Sequence, residues 1–195
     1  MRGIFLDIET TGLNPLRHSP IDIALKVIDL SSNKILGEYQ SVIRQSQDAW
    51  NERDLASIEI NGFTWDDLIK GKDPATVGKE IMALLRSLEI QRGRSMFICQ
   101  NPAFDRGFFN QLIDVYVQEL LNWPYHWLDL ASMFWTICVL DAKKSGKPIP
   151  EKISLSKNDI AYRYHIPPEA SPHRAMRGVD HLILCYQTLL NASFG

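Results

Sequence analysis

The 195-residue chain has little cysteine, no surplus of positive charge and no long apolar run. Each absence narrows the field. Cys99, Cys138 and Cys185 cannot form a fully paired disulfide framework, and no C-x-x-C spacing occurs. All three sit in apolar stretches such as Met96-Phe97-Ile98-Cys99, which reads as buried reduced thiols rather than a metal site. Basic residues number 21 against 23 acidic, a formal net charge of −2. Proteins that hold long nucleic acid by counterion release carry a basic excess. Any nucleic-acid partner of this chain must therefore be gripped locally, through a metal, an end or a patch. Lys143-Lys144-Ser145-Gly146-Lys147 is the one local basic cluster, and it reads as a solvated loop. The apolar runs fall far short of the roughly 20 residues that cross a bilayer. The opening Met1-Arg2-Gly3-Ile4-Phe5-Leu6-Asp7 meets an acid too soon for a secretory leader. The expectation is no membrane association and a cytoplasmic location.

What is present is ordinary globular usage, 45% apolar and 23% charged, in a length that suits one domain over residues 1–195. Gly3 to Glu9 reads as a strand. Ile21 to Leu30 and Ile35 to Ile43 read as a hairpin about Ser31-Ser32-Asn33-Lys34. In Pro74 to Leu88 the residues Val77, Ile81, Leu84, Leu85 and Leu88 share a helical face, with proline in the first turn. Ser95 to Gln100 is a short apolar strand. Asn101-Pro102 then signals a helix start, with Asn101 able to cap, and the helix extends to about Leu121. A short strand at Trp127 to Leu130, a helix to about Lys143, a helix over Ser154 to Tyr164 and a last helix over Arg174 to Asn191 complete the pattern. This order implies an α/β fold, one mixed sheet flanked by helices. Trp50, Trp65 and Trp123 read as exposed aromatics, serving either an interface or packing.

The segment that carries chemistry is Asp7-Ile8-Glu9-Thr10-Thr11-Gly12-Leu13. Residues two apart on a strand share a face, so Asp7 and Glu9 project together. Adjacent carboxylates repel, and burying them calls for a cation, of which a hard divalent ion is the natural choice. The pair alone is weak, since a chain with 14 Asp and 9 Glu expects about 0.65 Asp-x-Glu by chance. Its placement at a strand end, before Thr-Thr-Gly, is the signal. Asp105 falls in the first turn of the helix after the apolar strand, where an acid also complements the helix dipole. His173 stands in Pro172-His173-Arg174-Ala175-Met176, at a loop–helix junction.

Taken in order, Asp-x-Glu-Thr-x-Gly-Leu, Asn-x-x-Phe-Asp and His-x-Ala resemble the DEDDh, or DnaQ-like, 3′→5′ exonucleases, which include proofreading subunits of bacterial replicative DNA polymerase. The resemblance spans nearly the whole chain. Ile58-Glu59-Ile60-Asn61-Gly62-Phe63-Thr64 resembles the family's His-Gly-Ile-Thr segment, with Asn61 in place of the usual His. Leu155-Ser156-Lys157-Asn158-Asp159-Ile160-Ala161 resembles the family helix before the last motif. The resemblance implies a ribonuclease-H-like fold and hydrolysis of a terminal phosphodiester with two divalent cations, Mg²⁺ or Mn²⁺. It makes Asp7, Glu9 and Asp105 the metal ligands and His173 the general base. It assigns Thr10 and Leu13 to the 3′ end and its terminal base, and Phe63 and Asn101 to the nucleotide pocket. The implied partners are single-stranded nucleic-acid 3′ ends, and a DNA polymerase or repair protein.

One position departs from the pattern. The family's fourth carboxylate follows the histidine by five residues, and Gly178 stands there. Asp180 lies two residues on and is the other candidate for the fourth metal ligand. On a continuous helix two steps of about 100° put 178 and 180 on nearly opposite faces. The apolar stripe of Val179, Leu182, Ile183, Tyr186, Leu189 and Leu190 favours the ungapped phase, with Gly178 in the ligand slot. A first turn distorted at Gly178 would instead bring Asp180 inward. Two functions follow: a metal-dependent 3′→5′ exonuclease releasing nucleoside monophosphates from DNA or RNA, or a catalytically weakened exonuclease fold that binds ends or a replication or repair partner.

Overall fold

The computed structural model describes residues 1–193. Strands β1 (Arg2–Thr10), β2 (Pro20–Asp29) and β3 (Lys34–Val42) are followed by α1 (Gln47–Asn51), α2 (Leu55–Asn61), α3 (Trp65–Leu68) and α4 (Pro74–Ser87). Then come β4 (Ser95–Cys99), α5 (Pro102–Leu112), α6 (Val115–Leu120), β5 (Trp127–Asp129), α7 (Leu130–Lys144), α8 (Lys157–Arg163) and α9 (Ala175–Ser193). The sheet order is β3-β2-β1-β4-β5. The first three strands are antiparallel neighbours, while β4 runs parallel to β1 and β5 to β4. The mixed sheet that the sequence implies is present.

Period-two alternation splits β1 between two cores. Ile4, Leu6 and Ile8 join Ile23, Leu25 and Phe97 against Val77, Ile81 and Leu85 of α4 and Phe108 and Phe109 of α5. Phe5 faces the other way, with Ala24, Ile28 and Ile98, against α7, α8 and α9. Asp7, two residues after Phe5, is thereby aimed at the α8–α9 layer. In α9 the buried apolar side chains are Ala175, Val179, Leu182, Cys185 and Leu189, which fixes the helix phase; Gly178 and His181 are buried as well. The three cysteines are free and buried. Among the described residues no helix is long and apolar enough to cross a membrane.

Residues 44–73, for which periodicity proposes no element, hold the three short helices α1, α2 and α3. Such helices do not stand alone. Ser46, Asp54 and Thr64 cap them, contributing about 1 kcal/mol each. The larger contribution is burial of Trp50, Phe63 and Leu68 with Ile21, at about 1.5–3 kcal/mol per large apolar side chain. Two of the tryptophans expected at the surface are therefore core residues. Trp50 belongs to this cluster and Trp123 packs on Phe97 and Phe109. Trp65 is partly exposed, against Trp50.

Three further boundaries differ from expectation. The helix expected to extend to Leu121 breaks at Ile113, which is extended, and restarts where the Asp114 carboxylate accepts from the Tyr116 amide. Asn101 makes no side-chain cap; it is left-handed, at φ 57°, and its amide donates to Asp129 Oδ1 at 3.0 Å. Helix α8 begins only at Lys157, capped by Ser156.

Candidate active site

The site exists because β4 is shorter than β1. Their pairing ends at Phe5–Ile98, so β1 runs on without a neighbour on that side. The chain turns back through α5, and the Asp105 carboxylate accepts the Ile8 amide proton at 3.1 Å. An acid on the α4–α5 layer thus reaches the edge of β1. Asp7, Glu9 and Asp105 line one cleft of about 300 Å³, and His173, Lys157 and Glu169 line it too. A second hollow of about 150 Å³ adjoins it and shares Ile8, Glu9 and Phe104. Its remaining wall includes Thr10, Leu13, Ile60 and Asn61. Leu13 is 71% exposed. Thr10 is buried, and its hydroxyl donates to the Gly12 carbonyl at 2.7 Å.

Burial dominates the electrostatics. It raises the Asp7 carboxyl above its ordinary value, with Lys157 opposing and Glu169 reinforcing the shift. Glu9 is pushed up to about 8 by burial, then by the charges of Asp7, Glu169 and Asp22. Asp105 is raised well above the carboxylate range by burial and by Asp7. Three hard oxygen donors, Glu9 and Asp105 buried and Asp7 partly so, repel one another and suit a divalent cation. Among the described residues, however, no three Asp, Glu, His or Cys side chains already converge to ligating distance. A cation of the chain's own stands between Asp7 and a further acid, Glu169. Lys157 Nζ lies 2.8 Å from Glu169 Oε2 and 3.3 Å from Asp7 Oδ1. Burial alone would lower Lys157; Asp7 and Glu169 outweigh it and hold the ammonium above its ordinary value.

Histidine 173 is hung on α2. Its amide donates to the Ile60 carbonyl at 3.1 Å. Arg174 donates to the Asn61 carbonyl, and its guanidinium lies 4.1 Å from the Phe63 ring centroid. Asn61 in turn donates from Nδ2 to the Thr10 carbonyl at 3.0 Å and accepts the Phe63 amide at 3.2 Å. On the other side, the Ala175 amide at the head of α9 donates to Asp22 Oδ2 at 3.0 Å. Asp22 is fully buried, and its carboxyl is raised to about 6, chiefly by burial.

Six of the nine residues singled out from the sequence meet here: Asp7, Glu9, Asp105, His173, Thr10 and Leu13. Phe63 does not line the hollow; it is buried under Arg174 in the α1–α3 cluster. Asn101 is exposed and lines neither cavity. Asp180 is absent from both as well. It is paired with Lys26 on β2, and its side chain is 55% exposed. Helix α9 is regular at this point, with the Gly178 amide donating to the Arg174 carbonyl at 2.9 Å. Gly178 faces inward instead, and a Cβ there would overlap the Asp7 carboxylate.

Asp22, Asn61, Lys157 and Glu169 were not marked as functional by the sequence. Asn61 and Lys157 lie in segments that resemble the family's, Asp22 is the one acid in Ile21-Asp22-Ile23-Ala24-Leu25, and Glu169 carries no such signal. A hollow of about 430 Å³ at the opposite end of β1, around Arg2 and Glu89, contains none of these residues. Its Arg2 is already committed to the Leu88 and Glu89 carbonyls.

Residues 4–183 match the family described as exonuclease, of the RNase T type, and the chain belongs to that family. No curated protein sequence matches it. Solved structures similar to it include Escherichia coli exonuclease I in complex with a dT13 oligonucleotide, at 18% identity and a TM-score of 0.73. That match covers 98% of this chain and 41% of exonuclease I. Cell-death related nuclease 4 is similar at 15% identity and a TM-score of 0.72, over 98% of this chain and 64% of that one. A 3′-exonuclease solved for its 3′-end-specific recognition of a histone mRNA stem-loop is similar at 13% identity and a TM-score of 0.69, over 98% and 64%. The chain thus spans about two fifths to two thirds of the length of these relatives. At such identities the likeness is one of fold, and the fold is the ribonuclease-H-like mixed sheet of exonucleases.

Proposed function

We propose that the chain is a divalent-cation-dependent 3′→5′ exonuclease that releases nucleoside monophosphates from single-stranded DNA or RNA ends. The observation that carries this reading is the cleft itself. Three carboxyls from β1 and α5 and one imidazole line it, beside a smaller hollow walled partly by exposed apolar groups. The neighbours named for a bound oligonucleotide and for 3′-end recognition support the same direction.

Asp7, Glu9 and Asp105 would hold the cation, which when bound supplies charge to a scissile phosphate and its leaving oxygen. The remaining work falls to the chain. His173, in the cleft, takes the proton from the attacking water, a role an imidazole performs near neutral pH. Leu13 and Ile60 give a terminal base apolar surface, and the Thr10 segment borders the sugar end. With a net charge of −2, affinity comes from this end pocket rather than from a basic track. A catalytically weakened end-binding protein is the second reading, favoured by Gly178 in the slot where the family pattern has an acid.

The test is hydrolysis of single-stranded DNA and RNA labelled at either terminus, with Mg²⁺ or Mn²⁺ and with chelator. The reading expects mononucleotides first from the 3′ end, and none with chelator. Internal cuts, or release from the 5′ end, would overturn it. Tight 3′-end binding without release would select the weakened form.

A further inference from the structure

Resting on the exonuclease reading, the geometry points to a site for one divalent ion, in which the Lys157 ammonium stands in place of a second. Four observations meet at that side chain. It enters the cleft from the first residue of α8, with only 11% of its surface exposed. Its Nζ bridges Glu169 at 2.8 Å and Asp7 at 3.3 Å, and lies 3.4 Å from the Gly178 carbonyl. Glu169, whose side chain is 4% exposed, comes from the loop before His173 and has no counterpart among the motifs; its Oε1 finds no hydrogen-bond partner among the described residues. Gly178, finally, leaves the space that Asp7 uses to face the lysine, since any Cβ at 178 would overlap that carboxylate.

These are one arrangement, not four coincidences. A two-ion site needs enough carboxylates to offset two dications. Here the acid expected at 178 is missing, and one of the remaining ligands, Asp7, already shares its charge with an ammonium. A second dication placed near Asp7 would meet that ammonium at a few ångströms, a repulsion that low-dielectric surroundings strengthen. The loss of an anionic ligand and the gain of a fixed cation act in the same direction. Asp7, Glu9 and Asp105 remain available to one ion. Lys157, fixed by Glu169, neutralises the α9 side of the cleft and faces the space a substrate phosphate would enter.

The experiment counts ions, using Mn²⁺ alone as the probe and the electron paramagnetic resonance signal of free Mn²⁺ as the readout. The wild-type chain is expected to take up one Mn²⁺, and Lys157→Met two. Lys157→Gln, whose neutral head can still bond Glu169, serves the same purpose if Lys157→Met does not fold. In parallel, the hydrolysis rate should depend on free Mn²⁺ to about the first power in the wild type and more steeply in the variant. Two ions bound by the wild type, or one by both proteins, would overturn the proposal and leave the exonuclease reading intact. No ion bound by the wild type would overturn both. One ion bound without any 3′ release would sink the exonuclease reading while keeping the count.

Discussion

The two walls of the cleft are built on different principles. The wall formed by β1 and α5 is held by the backbone: Asp105 fills the hydrogen-bonding position that β4 leaves open, and Asp7 and Glu9 are set by strand alternation. The wall formed by α8, the following loop and α9 is held by charge, through Lys157, Glu169 and the Asp22 cap on α9. The first wall supplies anions in a fixed register. The second supplies the His173 imidazole, whose loop is hydrogen-bonded to α2, and the Lys157 ammonium, whose position depends on ion pairs. The contrast teaches that the ligand set can change on one wall without disturbing the frame of the other.

The sharpest way to test that contrast is to remove the imidazole proposed as the base. His173→Ala should slow the chemical step about 10²–10⁴-fold under single-turnover conditions, with Mn²⁺ affinity nearly unchanged because the ligands sit on the other wall. A matching loss of Mn²⁺ affinity would mean that the walls are not independent.

The anionic wall can be stressed by pH. Folded, metal-free protein keeps the Glu9 proton up to about pH 8, against an ordinary value of 4.5. The stability that this protonation contributes is complete below pH 4.5 and is lost as pH rises through 8, by an amount of the order of a few kcal/mol. Chemical denaturation without metal should show that fall, and Mn²⁺ should reverse most of it by binding the native state. A flat profile between pH 5 and 8 would show that Glu9 is solvated. Smaller still is the anchor of α9. Asp22→Ala removes the acceptor for the Ala175 amide and should cost about 1–2 kcal/mol in urea denaturation, whereas Asp22→Asn, which keeps an acceptor, should cost less. Asp180→Ala, an exposed partner of Lys26, should change stability by less than about 1 kcal/mol and activity not at all. A strong loss of activity would return Asp180 to the site.

The same contrast decides what could be read from the sequence. Strand β1, the hairpin and α4 are legible because alternation and helical period record one buried face; Asp7 and Glu9 lie on β1, and Asp105 lies in the first turn of α5, whose start Asn101-Pro102 signals. The phase of α9 was legible too, since Val179, Leu182 and Leu189 are buried as the stripe implies. Lys157 and Glu169 were not, because they meet only when α8 and the proline-rich loop pack against β1, twelve residues apart in the chain. Phe63 was misplaced for a related reason: its segment matched the family pattern, but Trp50, Leu68 and Arg174 close over it. Helices α1 to α3 are too short to show a period, and their caps Ser46, Asp54 and Thr64 emerge only in the structure.

One consequence concerns mechanics. The bonds from the His173 amide to Ile60 and from Arg174 to Asn61 tie the imidazole's loop to the helix that walls the smaller hollow. Asn61 ties that helix to Thr10 at the end of β1. Strand end, pocket wall and the His173 loop are therefore joined by one short run of hydrogen bonds. An occupant that displaces this wall is expected to displace the His173 imidazole with it, so that on the exonuclease reading the fit of a terminal nucleotide and the aim of the imidazole would be a single adjustment.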